Sequence, residues 1–201
     1  MKKIQLLILL LGIVHLSNAQ LSGGIKAGLN LTGQKWKVEF QGESDSEKFE
    51  GTGFHVGGYL NHSITEEFSF QPELMFNVLK VDVQGEDITM NYISAPVMFG
   101  YGVEDNKLIF QAGPQLGLLL ATDPEEMKDE DAIKDIDFSF NFGATVNFNK
   151  FNLSVRYCLG LANLTGEALQ EELEDALGDD VDLKIRNNNL QFSVGYKLFG
   201  E

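Results

Sequence analysis

From residue 152 to 161 the chain reads Asn-Leu-Ser-Val-Arg-Tyr-Cys-Leu-Gly-Leu, and every second residue is apolar. That alternation is the period of a β-strand with two unlike faces. It recurs along the chain. Phe68, Phe70, Leu74, Phe76 and Val78 share one face, and Phe138, Phe140, Phe142, Ala144, Val146 and Phe148 share another. The stripes Leu108 to Leu120 and Leu190 to Leu198 repeat the pattern. The opposite faces are the constraint. They carry Ser69, Gln71, Glu73 and Asn77, or Gln111, Gly113, Gln115 and Gly117, or Gln191, Ser193, Gly195 and Lys197. A soluble barrel turns a charge-rich face to water. Small, uncharged, hydrogen-bonding residues suit a crowded interior instead, so the apolar stripes face outward, toward lipid.

Eight such segments are expected: 23–31, 51–61, 66–81, 87–101, 107–121, 136–148, 150–161 and 188–199. The connections at 62–65, 102–106 and around Asn149 are tight, and the one near Gly85 is modest. Those at 32–50, 122–135 and 162–187 are long. In an up-and-down meander this puts tight turns at one end and long loops at the other, as in transmembrane barrels. The long connections hold 20 of the 30 acidic residues and seven of the basic ones, nearly the whole net charge of −15. The expected fold is therefore all-β: an eight-stranded antiparallel up-and-down transmembrane barrel, closed because unpaired strand edges are not tolerated in lipid.

The amino terminus, Met1-Lys2-Lys3 followed by an apolar run to Leu16 and then Ser17-Asn18-Ala19, has the layout of a secretory signal peptide. The run is shorter than the ~20 residues a spanning helix needs. Residues 1–19 are expected to be the leader and 20–201 one outer-membrane barrel domain. Cys158 is the single cysteine, which excludes an intramolecular disulfide. The acidic balance argues against nucleic acid as a partner.

An eight-stranded barrel is just wide enough for side chains to fill. Arg156, in the middle of a polar face, is expected to meet Glu73 across the lumen with the fork geometry open to a guanidinium. Lys26, His55, Asp137 and Lys197 should also point inward and form a lumen charge network. Pro72, Pro96 and Pro114 fall inside strands of a barrel that has no edge to receive them. They predict a band of bulges or broken ladder bonds at about mid-height. No catalytic set, cofactor loop or metal cluster is legible. The mature histidines are His55 and His62, and the acidic connections lack the spacing of a calcium-binding EF-hand. Asp123, Pro124 and Glu126 predict a capped helix start. Leu169, Leu173 and Leu177, with Gly178 as a stop, predict a second helix.

The segments "GIKAGLNL", "GFHVGGYLNHSITEEFSFQPELMF", "NYISAPVMFGY", "FQAGPQLGLLL", "VRYCLGLANL" and "NNNLQFSVGYKLF" together resemble the PorT-like outer-membrane β-barrel family. Ser94 stands where that family often has an acid. The resemblance implies an eight-stranded porin-family barrel in the outer membrane of a Gram-negative envelope, one branch of which assists type IX secretion. It implies a non-enzymatic envelope role, with outer-membrane lipid around the barrel and envelope or secretion-system proteins meeting the acidic external loops. A narrow channel for ions or small solutes and a soluble lipocalin-like lipid carrier are the alternative expectations.

Overall fold

The computed structural model describes residues 21–40, 42–83, 85–123, 132–178 and 181–200. The expected leader, residues 1–19, lies outside the described residues. Eight strands, β1 (Leu21–Phe40), β2 (Glu43–Ser63), β3 (Phe68–Val83), β4 (Glu86–Val103), β5 (Leu108–Asp123), β6 (Ile136–Phe148), β7 (Phe151–Gly160) and β8 (Val181–Phe199), form a closed antiparallel barrel. Each strand pairs with its sequence neighbours, and β1 closes on β8 from Gly23↔Phe199 to Phe40↔Val181. One helix, α1 (Glu167–Leu177), precedes β8. It stops at Gly178, whose φ of +101° suits a residue without a side chain.

The barrel is inverted relative to a soluble one. Leu29 and Leu74 are 65% and 62% exposed on the outer face, while Arg156 and Glu73 are 5% and 6% exposed inside. Many of the other buried residues are Asn, Gln, Ser and Thr, such as Asn30, Gln111, Asn141 and Ser193. This outer face excludes the soluble lipid-carrier reading.

The wall is of unequal height. A spanning strand needs about 9–11 residues, yet β1 and β2 have 20 and 21 residues. At ~3.3 Å per residue and a tilt of ~40°, their surplus rises roughly 25 Å beyond the apolar band. Residues 32–40 and 43–50, expected as part of a loop, are therefore the upper halves of β1 and β2. Likewise β8 begins at Val181 rather than near 188. Lys35, Lys37 and Glu39 form an outer face in water, and Trp36, Val38 and Phe40 the inner one. Charge on alternate positions there marks a solvated sheet. Glu39 accepts from Lys37 and Lys184, which hold its carboxyl below the usual range.

On the opposite side β6 and β7 are short, with 13 and 10 residues. The β7–β8 ladder ends at Leu159↔Asn188, which leaves the upper edge of β8 open. Residues 163–170 cover it. Leu164 N–H donates to the Ile185 carbonyl at 2.8 Å, and Asn163 Oδ1 accepts from Ile185 N–H at 3.0 Å. Gln170 gives its amide N–H to the Val181 carbonyl at 2.7 Å and takes the Leu183 N–H at 3.1 Å. Side chains thus do for this edge what a strand would, and the open donors and acceptors are satisfied.

The prolines interrupt ladders without shifting register. Pairing skips 60–61 against 71–72, 73–74 against 95–96, and 97–98 against 113–114, and resumes in the same frame each time. Missing N–H donors remove ladder bonds. The expected bulges are not there. The register shifts lie at Asn91/Tyr92 opposite Leu120 and at Gly23/Gly24. Asp123 ends β5, residues 132–135 are not helical, and residues 124–131, where the expected first helix would start, lie outside the described residues.

Candidate functional site: a lumen closed at two levels

The lower closure is ionic. Arg156 Nη1 and Nη2 donate to Glu73 Oε2 and Oε1 at 2.9 and 2.7 Å. Lys26 Nζ donates to Glu73 Oε1 at 2.9 Å and Gln71 to the same oxygen at 2.7 Å. One carboxylate therefore receives four donors, two of them on a bidentate guanidinium, which fixes its orientation as well as its charge. The three ions come from β1, β3 and β7, none of them neighbours, so they meet across the lumen. Tyr59 packs beside them, with Lys26 Nζ 5.8 Å from its ring centre, and accepts from Asn152 at 3.1 Å.

His55 lies in the same zone but makes no ion pair. Its Nδ1 is 2.7 Å from Asn30 Oδ1, which can only accept, so Nδ1 carries the proton; Nε2 then accepts from Ser193 Oγ at 2.8 Å. Gly28 makes room for the ring: a Cβ there would stand 2.8 Å from Cε1 and Nε2. Asp137 sits higher, bonded by Asn187 at 3.1 Å, away from Arg156. Lys197 lines the lower mouth with Lys26 and Gln71 rather than joining the ions. Of the expected network, then, Lys26, Glu73 and Arg156 come together, and His55, Asp137 and Lys197 occupy separate positions.

Above the ions, Gln191 bonds Asn77, which bonds Ser94, at 3.3 and 2.6 Å. A chain then runs from Trp36 to Gln34 to Asn187 to Asp137 at 2.7, 3.0 and 3.1 Å. Over it the inward faces turn apolar. Leu79, Val81, Ile88, Met90, Leu119, Leu183 and Ile185 form a core with Ile133 and Leu164, and Trp36, Leu169 and Leu173 pack against it. This upper closure is a small water-soluble core set inside the top of the barrel.

Between the mouth and the ions lies a vestibule of about 330 Å³, open on the tight-turn side and bordered by Asn61, Ser69, Gln111, Asn147 and Lys197. Between the two closures remains a cavity of about 20 Å³ beside Asp137 and Asn189, room for about one water. Among the described residues no cluster of three metal-ligating side chains occurs.

The model of the outer membrane protein beta-barrel domain matches residues 17–166. No curated protein matches the chain in sequence. Among solved structures, Neisserial surface protein A is similar at 13% identity over 88% of this chain and 97% of that one, with a TM-score of 0.50. OprG from Pseudomonas aeruginosa is similar at 13% identity over 91% and 97%, with a TM-score of 0.46.

Proposed function

The chain belongs to the outer membrane protein beta-barrel domain family and sits in the outer membrane, and from that premise we propose that it is a non-enzymatic, non-conducting barrel that displays a protein-binding platform outside the cell. The observation that carries this reading is the double closure of the lumen. A solute entering the vestibule meets Lys26, Glu73 and Arg156 locked on one another, and beyond them an apolar core. A channel would have to displace both. The platform consists of the β1–β2 hairpin and α1, which exposes Glu171, Glu172 and Asp175 beside a half-buried Glu174. Its cleft of about 270 Å³, between α1 and Asp182, is bordered by Glu167, Glu171 and Glu174. That charge favours a partner with a basic surface. The resemblance of the strand segments to PorT-like proteins adds secretion-system components to the candidate partners.

The test is a pull-down in mild detergent with the intact protein and a Glu171→Gln/Glu174→Gln/Asp175→Asn variant. A partner retained by the first and lost by the second supports the platform. Equal recovery of the same partners by both would place the contact elsewhere.

A further inference from the structure

Six cations project outward from the tall side of the wall, above the apolar band. Three are balanced. Lys80 pairs with Asp87 at 2.6 Å, Lys184 with Asp182 at 2.8 Å, and Lys37 with Glu39. The other three are not: Lys35, Lys48 and Arg186 make no ion pair among the described residues. They are also direct neighbours, since Lys35 stands opposite Lys48 on β2 and opposite Arg186 on β8. Like charges opposite one another on a sheet repel. A chain with a net charge of −15 places three of its fifteen basic residues side by side with no anion to join them.

Below these cations the outer face is hollow. A groove of about 810 Å³ crosses β7, β8, β1 and β2. Its floor is opened by Gly33, where a side chain would meet only the Asn188 carbonyl oxygen at 3.3 Å. Its lower wall is Leu31, Tyr157, Leu159 and Leu190, and its upper wall carries Lys35 and Lys48. Glu50 is the one acid that borders it. Lys35 and Arg186 each lie four residues above the last apolar residue on the outer face of their strand, Leu31 and Leu190. At ~3.3 Å per residue and ~40° of tilt, their backbone stands roughly 10 Å above the hydrocarbon, just over a headgroup layer about 5–8 Å thick that long Lys and Arg side chains reach.

We propose that this groove binds a phosphate-bearing lipid of the outer leaflet, its acyl chains against Leu31, Leu159 and Leu190 and its phosphate among Lys35, Lys48 and Arg186. The phosphate offsets the repulsion of the three cations and accepts charge-assisted hydrogen bonds from them. The paired cations at Lys37 and Lys184 serve as an internal control because their charges are already met. The site is on the outer wall and does not depend on whether the lumen conducts.

Purified full-length protein in uncharged detergent is titrated with a diphosphorylated glycolipid, with the same glycolipid lacking phosphates, and with inorganic phosphate, and binding is read by native mass spectrometry. The intact protein is expected to prefer the phosphorylated lipid. Lys35→Gln/Lys48→Gln/Arg186→Gln should weaken that binding by at least tenfold, and Lys37→Gln/Lys184→Gln should change it by less than about twofold. Single Lys48→Gln, a fully solvated change, gives the same direction if the triple variant folds poorly. Equal binding of the two glycolipids, equal loss in both double and triple variants, or competition by inorganic phosphate as effective as by lipid would each overturn the proposal.

Discussion

Glu73 is the residue on which the lower closure turns, because it is the single anion between two buried cations. Replacing it by Gln leaves Lys26 and Arg156 facing one another without a counter-charge. Replacing Arg156 by Met leaves Lys26 and Glu73 still paired. The expected order is therefore asymmetric. Glu73→Gln should cost about 3–5 kcal/mol, and Arg156→Met or Lys26→Met about 1–3 kcal/mol. The measurement is the urea midpoint in one detergent. Equal losses for all three would show that the charges are screened by water rather than by each other. The Arg156/Glu73 double variant should lose less than the sum of the singles. Close by, Gly28→Val should cost about 3 kcal/mol or more, because a Cβ there would overlap the Phe192 carbonyl oxygen as well as stand 2.8 Å from the His55 ring. The inward position of these residues could be read from alternation alone. Arg156 was expected to meet Glu73 and does so; which further ions join that pair could not be read, because contacts between β1, β3 and β7 depend on barrel radius and strand stagger, which no single strand encodes. Lys26 as the third partner, and the separation of His55, Asp137 and Lys197, belong to that unreadable part.

At the scale of elements, the unusual device is the segment 163–170, which completes β8 where β7 has ended. Leu169 and Leu173 hold α1 on the upper core. Leu169→Asp/Leu173→Asp should therefore speed amide exchange across 163–177 and expose Leu183 and Ile185 amides, while the spanning strands keep their protection. Loss of protection throughout the barrel would mean that the lid and the barrel are one cooperative unit. The eight strands were legible because lipid on one side and a packed lumen on the other impose a strict period of two. The extensions of β1, β2 and β8 were not. Above the membrane the outer face is solvated, so Lys35-Trp36-Lys37-Val38-Glu39 resembles a charged loop although it keeps the same period. Of the bulges or ladder breaks that the prolines allowed, the structure has the breaks, since a missing donor removes a bond without adding a residue.

For the whole molecule, unequal wall height means unequal vulnerability. Proteases added to intact cells should cut within 161–178 and spare the hydrogen-bonded arms of β1 and β2; cleavage first at 104–107 would invert the barrel in the membrane. Unboiled protein should migrate faster than boiled protein on gels, as a closed barrel that resists detergent. The central claim is that the lumen is shut, by ions below and by an apolar core above. Purified full-length protein reconstituted in planar bilayers tests it most directly. The account predicts no unitary conductance steps, in the intact protein or in Arg156→Met, because the upper core remains when the ionic closure is weakened. Stable steps from the intact protein whose size changes in Arg156→Met would contradict it and make the barrel a channel.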